Sequence, residues 1–185
     1  STYMIKLSTL IQSPWVEDDG SCPTTIFQIH DTADGGDPAR GPPLEMAVEG
    51  DRLVLTSRSS ITGGTDASGQ VLRELYHWPL ADILDEWQDW VLQITWQHTT
   101  GGAIKLWRNR RVEFQESTGK NCYNDAAGNF TAHGVYCPVG WPAAGVSSRI
   151  AYTTGMVIGD AAETFLSFTG AAELERVMPV RMAAA

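Results

Sequence analysis

The sequence predicts an all-β fold, a two-sheet sandwich or jelly roll. Short stretches of alternating apolar and polar residues recur along it, turn-forming residues separate them, and one stretch alone reads as helical. With 185 residues, 43% of them hydrophobic and 19% charged, the chain has the length and composition of one domain with a substantial core. Residues 1–185 read as a single unit, without repeats or a linker-like tract.

The first strand starts at Tyr3, with Tyr3, Ile5 and Leu7 on one face and Met4, Lys6 and Ser8 on the other. A loop over 12–23 carries Pro14, Gly20 and Pro23, and Thr25–His30 is the next strand. After a loop over 31–43 rich in Asp, Gly and Pro, 44–48 and 52–57 form a hairpin turning at Glu49-Gly50-Asp51. A polar, Gly-rich loop spans 59–69, and β character resumes over 70–78. Residues 82–87 suggest one helical turn, with Ile83, Leu84 and Trp87 on one side. Over 89–97, Trp90, Leu92, Ile94 and Trp96 alternate with Val91, Gln93, Thr95 and Gln97. Thr100-Gly101-Gly102 turns the chain into 103–108, and Arg108-Asn109-Arg110 turns it again into 112–114. Segments 130–136, 149–153, 156–158 and 171–179 complete the β pattern. Trp90, Trp96 and Trp107 read as core, whereas Trp78, Trp87 and Trp141 flank loops where they can stack on sugar rings.

A net charge of −9 and a pI near 4.8 argue against nucleic acid as a partner, since that needs clustered Lys and Arg. Arg108, Arg110 and Arg111 form one basic patch, read either as a ligand contact or as a solvated hairpin tip. No apolar run reaches the roughly 20 residues of a membrane helix, so no membrane insertion is expected. The chain starts Ser1-Thr2-Tyr3-Met4, without a signal peptide, which is compatible with a processed or truncated front end. Of the three cysteines, Cys122 and Cys137 flank the 130–136 strand and could face one another, leaving Cys22 free. None of their spacings suits zinc, and no redox metal or organic cofactor is expected. Asp31, Asp34 and Asp37 share a Gly-containing loop that could take a structural Ca²⁺.

Two motifs carry chemistry. Gln28 and His30 lie two residues apart on one predicted strand and therefore on one face. Tyr136 closes the strand Phe130-Thr131-Ala132-His133-Gly134-Val135-Tyr136. An amide can neutralise a carboxylate without competing for a proton. An imidazole is suited to proton abstraction near neutral pH, and a phenol can donate to a leaving oxygen. These are the groups that eliminative cleavage of a uronate polymer requires.

The surrounding residues resemble the jelly-roll polysaccharide lyases, the heparin lyase I-like, glucuronan and alginate lyase superfamily. Ile26-Phe27-Gln28-Ile29-His30-Asp31 is similar to that group's QIH or QWH strand, and 130–136 to its YFKxGxY strand. Pro42-Pro43-Leu44-Glu45-Met46 with Gly50-Asp51-Arg52-Leu53 resembles the hairpin that follows. Trp87-Gln88-Asp89-Trp90-Val91 with 101–107 resembles the central hairpin, and 155–160 the closing strand. The resemblance implies a concanavalin A-like β-jelly roll acting on an acidic polysaccharide. Gln28 then neutralises the carboxylate, His30 is the base, and Tyr136 is the acid or both acid and base. Arg40, Arg58, Trp141 and His133 are the candidate substrate contacts. The chain departs from the pattern where the family's YFK lysine falls on Ala132. The family's N-terminal strand with Arg and Glu is not visible, so an N-terminal strand or extension is expected to be missing, with Arg40 or Arg58 as substitutes.

The alternative on the same fold is a non-catalytic carbohydrate-binding or structural protein, for instance a phage decoration or tail-associated protein assembled into a larger structure. Either role implies an extracellular or virion-associated location. A glycoside hydrolase would need two facing carboxylates; Glu45, Glu49, Glu113 and Glu116 read instead as solvated faces. No GxSxG nucleophile elbow occurs, and the Asn129-Phe130-Thr131 sequon falls inside the candidate strand.

Overall fold

A computed structural model of the protein describes residues 1–15, 23–32, 39–60, 70–116, 119–137 and 148–174. Their strands are β1 (Thr2–Ile11), β2 (Thr24–His30), β3 (Leu44–Glu49), β4 (Arg52–Ser60), β5 (Gln70–Pro79), β6 (Gln88–Thr95), β7 (Ala103–Arg108), β8 (Arg111–Glu116), β9 (Phe130–Tyr136), β10 (Ala151–Thr153) and β11 (Val157–Gly159). One sheet has the order β10-β1-β6-β7-β8, with β11 on β1 beside β10; the other runs β5-β4-β3-β2-β9. All strand pairs within them are antiparallel, so the molecule is the two-sheet jelly-roll sandwich that the alternation predicts.

Alternation decides what lies between the sheets. Ile5 and Leu7 of β1, Trp90, Leu92 and Ile94 of β6, and Ile104 and Leu106 of β7 face Phe27 and Ile29 of β2 and Leu44, Met46, Leu53 and Leu55 of the β3–β4 hairpin. Trp90 is fully buried, and its indole N–H donates to the Thr9 hydroxyl at 2.8 Å, which removes the cost of an unpaired buried donor. The β7–β8 hairpin turns on Asn109 and Arg110 with φ of 49° and 69°, the left-handed pair of a two-residue type I′ turn.

Three expectations change, and Trp107 is core as predicted but in a second cluster. Trp107 pairs with Val91 and so faces away from the sandwich core. It is buried there with Met4 and with Phe165 of a short helix, α1 (Phe165–Thr169), which the sequence reading missed. The turn predicted over 82–87 is a 3-10 turn at Leu80–Asp82, while Leu84 forms a bridge to Ile11. Trp78 is no sugar platform, because it packs edge-on against Trp90 in the core at 3% exposure. Cys122 is a free buried thiol and Cys137 is disulfide-bonded, so the Cys122–Cys137 bridge does not exist.

The basic patch also resolves into a hairpin tip. Arg110 Nε donates to the Ala172 carbonyl at 3.1 Å and Arg108 sits 3.5 Å from Glu113, on the sheet opposite Gln28. Three of the acidic residues read as solvated are paired: Glu116 takes both arms of Arg73 at 2.7 Å, Glu113 lies 3.5 Å from Arg108, and the buried Glu45 accepts from Arg58. The 171–179 strand lies outside the described residues from 175 onward; Leu174 makes one bridge to Arg111.

Candidate active site

The outward face of the β5-β4-β3-β2-β9 sheet brings the predicted residues together by alternation, and an irregularity in β2 adds Thr25 to them. Gln28 pairs with Glu45 on one side and Ala132 on the other. Plain alternation from Gln28 would send Thr25 to the core side. A register shift between Thr25 and Phe27 adds one residue to β2 relative to β3, so Thr25 pairs with Ala47 and Tyr136. A bulge of this kind re-aims one side chain and bends the strand. Thr25 therefore shares the face of Gln28, and its hydroxyl donates to Glu45 Oε1. β9 gains a further residue between His133 and Tyr136, where Gly134 takes φ 138°, a conformation that favours glycine. The result is one face bearing His30, Gln28 and Thr25 on β2 and Phe130, Ala132 and Tyr136 on β9.

His30 is held on two sides. Its ring stacks on Phe130, 5.5 Å between centroids at 14°. Its Nδ1 lies 3.0 Å from the carbonyl oxygen of Asp31 and 2.9 Å from Asp31 Oδ1. The hydrogen-bond geometry is met by the carbonyl, and the carboxylate contact is electrostatic. Both oxygens only accept, so Nδ1 carries the proton and Nε2 of the neutral ring carries the free electron pair.

Behind His30 lies a buried ionic network. Arg40 Nε donates to Asp31 Oδ2 at 2.7 Å and Nη2 donates to Asp125 Oδ1, with the side chains of Arg40, Asp31 and Asp125 exposed by 2%, 1% and 4%. The guanidinium also lies over the Tyr123 ring, 4.2 Å from its centroid. Burial pulls the pKa of Arg40 down, but the hydrogen bonds and charges of Asp31 and Asp125 outweigh it and hold the group above its ordinary value. Burial pushes the Tyr123 phenol up to about 12, so it stays neutral and donates to the Gly41 carbonyl at 2.9 Å. Arg40 thus supports Asp31 from within the fold, away from the open face.

Arg58 reaches the face through Glu45. Its Nη1 donates to Glu45 Oε2 at 2.8 Å and to the Pro42 carbonyl at 3.2 Å. Gln28, His133 and Tyr136 line one open cavity of about 300 Å³, and Tyr136 is 53% exposed. His30 is not on that wall but lies two residues along β2. Trp141 falls outside the described residues.

A larger cavity, about 480 Å³, opens between the sheets beside Tyr3, Trp96 and Tyr123. None of Gln28, His30 and Tyr136 reaches it, and its Cys122 thiol is pushed by burial up to about 11, which leaves it protonated and unreactive. The described residues hold no cluster of three metal-ligating side chains. In the loop considered for Ca²⁺, Asp31 is committed to Arg40 and Asp34 and Asp37 lie outside the described residues.

Sequence reasoning missed Glu45 and Phe130 as neighbours of Gln28 and His30. The only signal for them was the strand register, which sequence does not display.

Solved structures share this fold at low identity. An endo-β-1,4-glucuronan lyase from the fungus Trichoderma reesei superposes with a TM-score of 0.66 at 15% identity, over 86% of this chain and 68% of the other. Alginate lyase A1-II′, of polysaccharide lyase family 7, gives 0.52 at 16% identity over 86% and 62%. Alginate lyase PA1167 from Pseudomonas aeruginosa gives 0.52 at 12% identity over 86% and 64%. The chain thus spans about two thirds of the length of these structures, and at such identities the likeness is one of fold. No curated protein sequence matches the chain. The family model for polysaccharide lyases matches residues 1–156, more than four fifths of the sequence, and with it the chain belongs to the polysaccharide lyase family.

Proposed function

We propose that the protein cleaves a uronate-containing polysaccharide by β-elimination on the outward face of the β2–β9 sheet. One observation carries this: the ladder sets Gln28 between His30 at one end and Tyr136 at the other. The two outer rows are five residues apart on β2, roughly 16 Å along the strand, which sets base and acid on either side of a sugar at Gln28.

The Gln28 amide donates to the uronate carboxylate and stabilises the charge that builds when C5 loses its proton. Nε2 of His30 takes that proton, and Asp31 Oδ1 faces the charge that then appears on the ring. The C5–H electron pair becomes the C4=C5 double bond and the C4–O bond breaks. The departing oxygen takes the phenolic proton of Tyr136, which solvent restores. Proton transfers of this kind contribute on the order of 10²- to 10⁴-fold each.

A second assignment of the proton is favoured by the cavity that Gln28 and Tyr136 share and His30 does not reach. There Tyr136 serves as both base and acid, for a substrate whose proton and leaving group lie on one side. The test is ultraviolet absorbance of the unsaturated product on a panel of uronate polymers, with His30→Ala and Tyr136→Phe beside the unaltered protein. Loss in both variants supports the first assignment; loss in Tyr136→Phe with activity kept in His30→Ala supports the second. No product on any polymer from folded protein sinks the elimination reading.

A further inference from the structure

Gln28 is the carboxylate-binding group of the proposed site, and its neighbours are unusual for a site that handles a polyanion. On one side stands Ala132, a methyl group directly opposite in the ladder. On the other stands Glu45, a carboxylate 8% exposed. Among the described residues, the face carries two cations by register, Arg58 and Arg52 on β4. Arg58 is committed to Glu45 at 2.8 Å, and Arg52 lies 3.5 Å from Glu74. Arg40 is buried with Asp31 and Asp125.

The stretches outside the described residues bring no relief short of the C-terminal one. Segments 16–22, 33–38, 61–69, 117–118 and 138–147 contain Glu17, Asp18, Asp19, Asp34, Asp37 and Asp66 and no Lys or Arg. With a net charge of −9, a densely anionic chain approaching this face meets repulsion, and beside Gln28 it finds a methyl group and a carboxylate in place of a cation. The cavity of about 300 Å³ beside Ala132, Gly134 and Val135 has no Lys or Arg on its described wall either, and it has room for an uncharged substituent.

We infer that the site selects an unsulfated polymer in which the uronate held at Gln28 is flanked by neutral or O-acylated sugars, and that it disfavours sulfated chains and continuous polyuronates. The inference rests on the elimination reading for placing the carboxylate at Gln28. Its electrostatic consequence is distinctive: added salt weakens a cation-lined site for a polyanion, whereas here salt relieves repulsion.

The experiment compares three derivatives of one backbone: a β-1,4-glucuronan, the same polymer partly carboxyl-reduced, and the same polymer O-sulfated. Binding to Tyr136→Phe is measured by calorimetry at low and high salt, and turnover with the unaltered protein. The carboxyl-reduced polymer should bind roughly tenfold more tightly than the parent, the sulfated one most weakly, with the gaps shrinking as salt rises. Ala132→Lys, a substitution at the edge strand, should narrow or reverse the order. Equal or tighter binding of the parent or sulfated polymer, affinity that falls with salt, or no binding of any of the three overturns the inference. Selective binding without unsaturated product sinks the elimination reading and leaves the selectivity standing.

Discussion

The imidazole of His30 stacks on the ring of Phe130, 5.5 Å between centroids and 14° from parallel. The two residues are directly paired across β2 and β9, so the ladder itself sets the contact. Phe130 is 50% exposed, and its ring supports His30 more than it contributes to the core. Phe130→Ala should therefore lower kcat by roughly tenfold through a less well fixed base, at a stability cost of about 1 kcal/mol. Phe130→Tyr should keep the stack and most of the rate. Steady-state kinetics beside urea unfolding tests this, and an unchanged kcat in a folded Ala variant would remove Phe130 from the site.

Arg40 is a structural member of the same site. Its guanidinium joins Asp31 and Asp125, two almost fully buried carboxylates. Removing it leaves both without their main counter-charge, which for buried pairs costs about 3–5 kcal/mol. Arg40→Gln should show that loss in urea unfolding. Arg40→Lys should recover part of it, because an ammonium cannot reproduce a fork that bonds two carboxylates while lying over Tyr123. A loss below about 1 kcal/mol for Arg40→Gln would mean that the network is dispensable.

What could be read from the sequence followed its local rules. Alternation located β6 and the inward set Trp90, Leu92 and Ile94, and the two-residue spacing put Gln28 and His30 on one face. The even spacing of Phe130, Ala132 and Tyr136 likewise puts Tyr136 on that face, but its pairing with Thr25 depends on a bulge between Thr25 and Phe27, which breaks the alternation such reasoning assumes. The role of Arg40 was out of reach because Asp125 is 85 residues away. The helix α1 has five residues, too short for periodicity to register. Its signal was in the ends: the Thr164–Ser167 capping box and the left-handed Gly170.

Glu49 gives a pH dependence whose sign can be worked out. Burial raises its pKa, with Arg52 opposing and Glu45 and Glu74 adding to the rise. An acid with a raised folded value holds more protons folded than unfolded in the window between its two values. Stability from this group is therefore greatest below the ordinary glutamate range, about pH 4.3, and falls as pH rises through the raised folded value. Glu49→Gln removes the titration, so its urea midpoint should gain on the unaltered protein as pH rises from about 4 to 7. Parallel pH profiles for the two proteins would show that the side chain is well solvated.

Gln28→Glu tests the site at its centre. The substitution is nearly isosteric but replaces an amide donor with an acceptor that repels the uronate carboxylate. Because Gln28 pairs with Glu45, it also sets two carboxylates directly opposite one another across β2 and β3, an unfavourable arrangement in a sheet. Turnover should fall by about 10²–10³-fold, the scale of losing one preorganised donor to a developing anion. Stability should fall as well, and more at pH 7 than at pH 4, because acid removes the paired charges. Gln28→Ala separates the two effects: it loses the donor and the rate but escapes the repulsion and its pH dependence. If Gln28→Glu retained near-normal turnover, carboxylate neutralisation would have to come from another group on this face. Arg58, released from Glu45, would then be the first to examine.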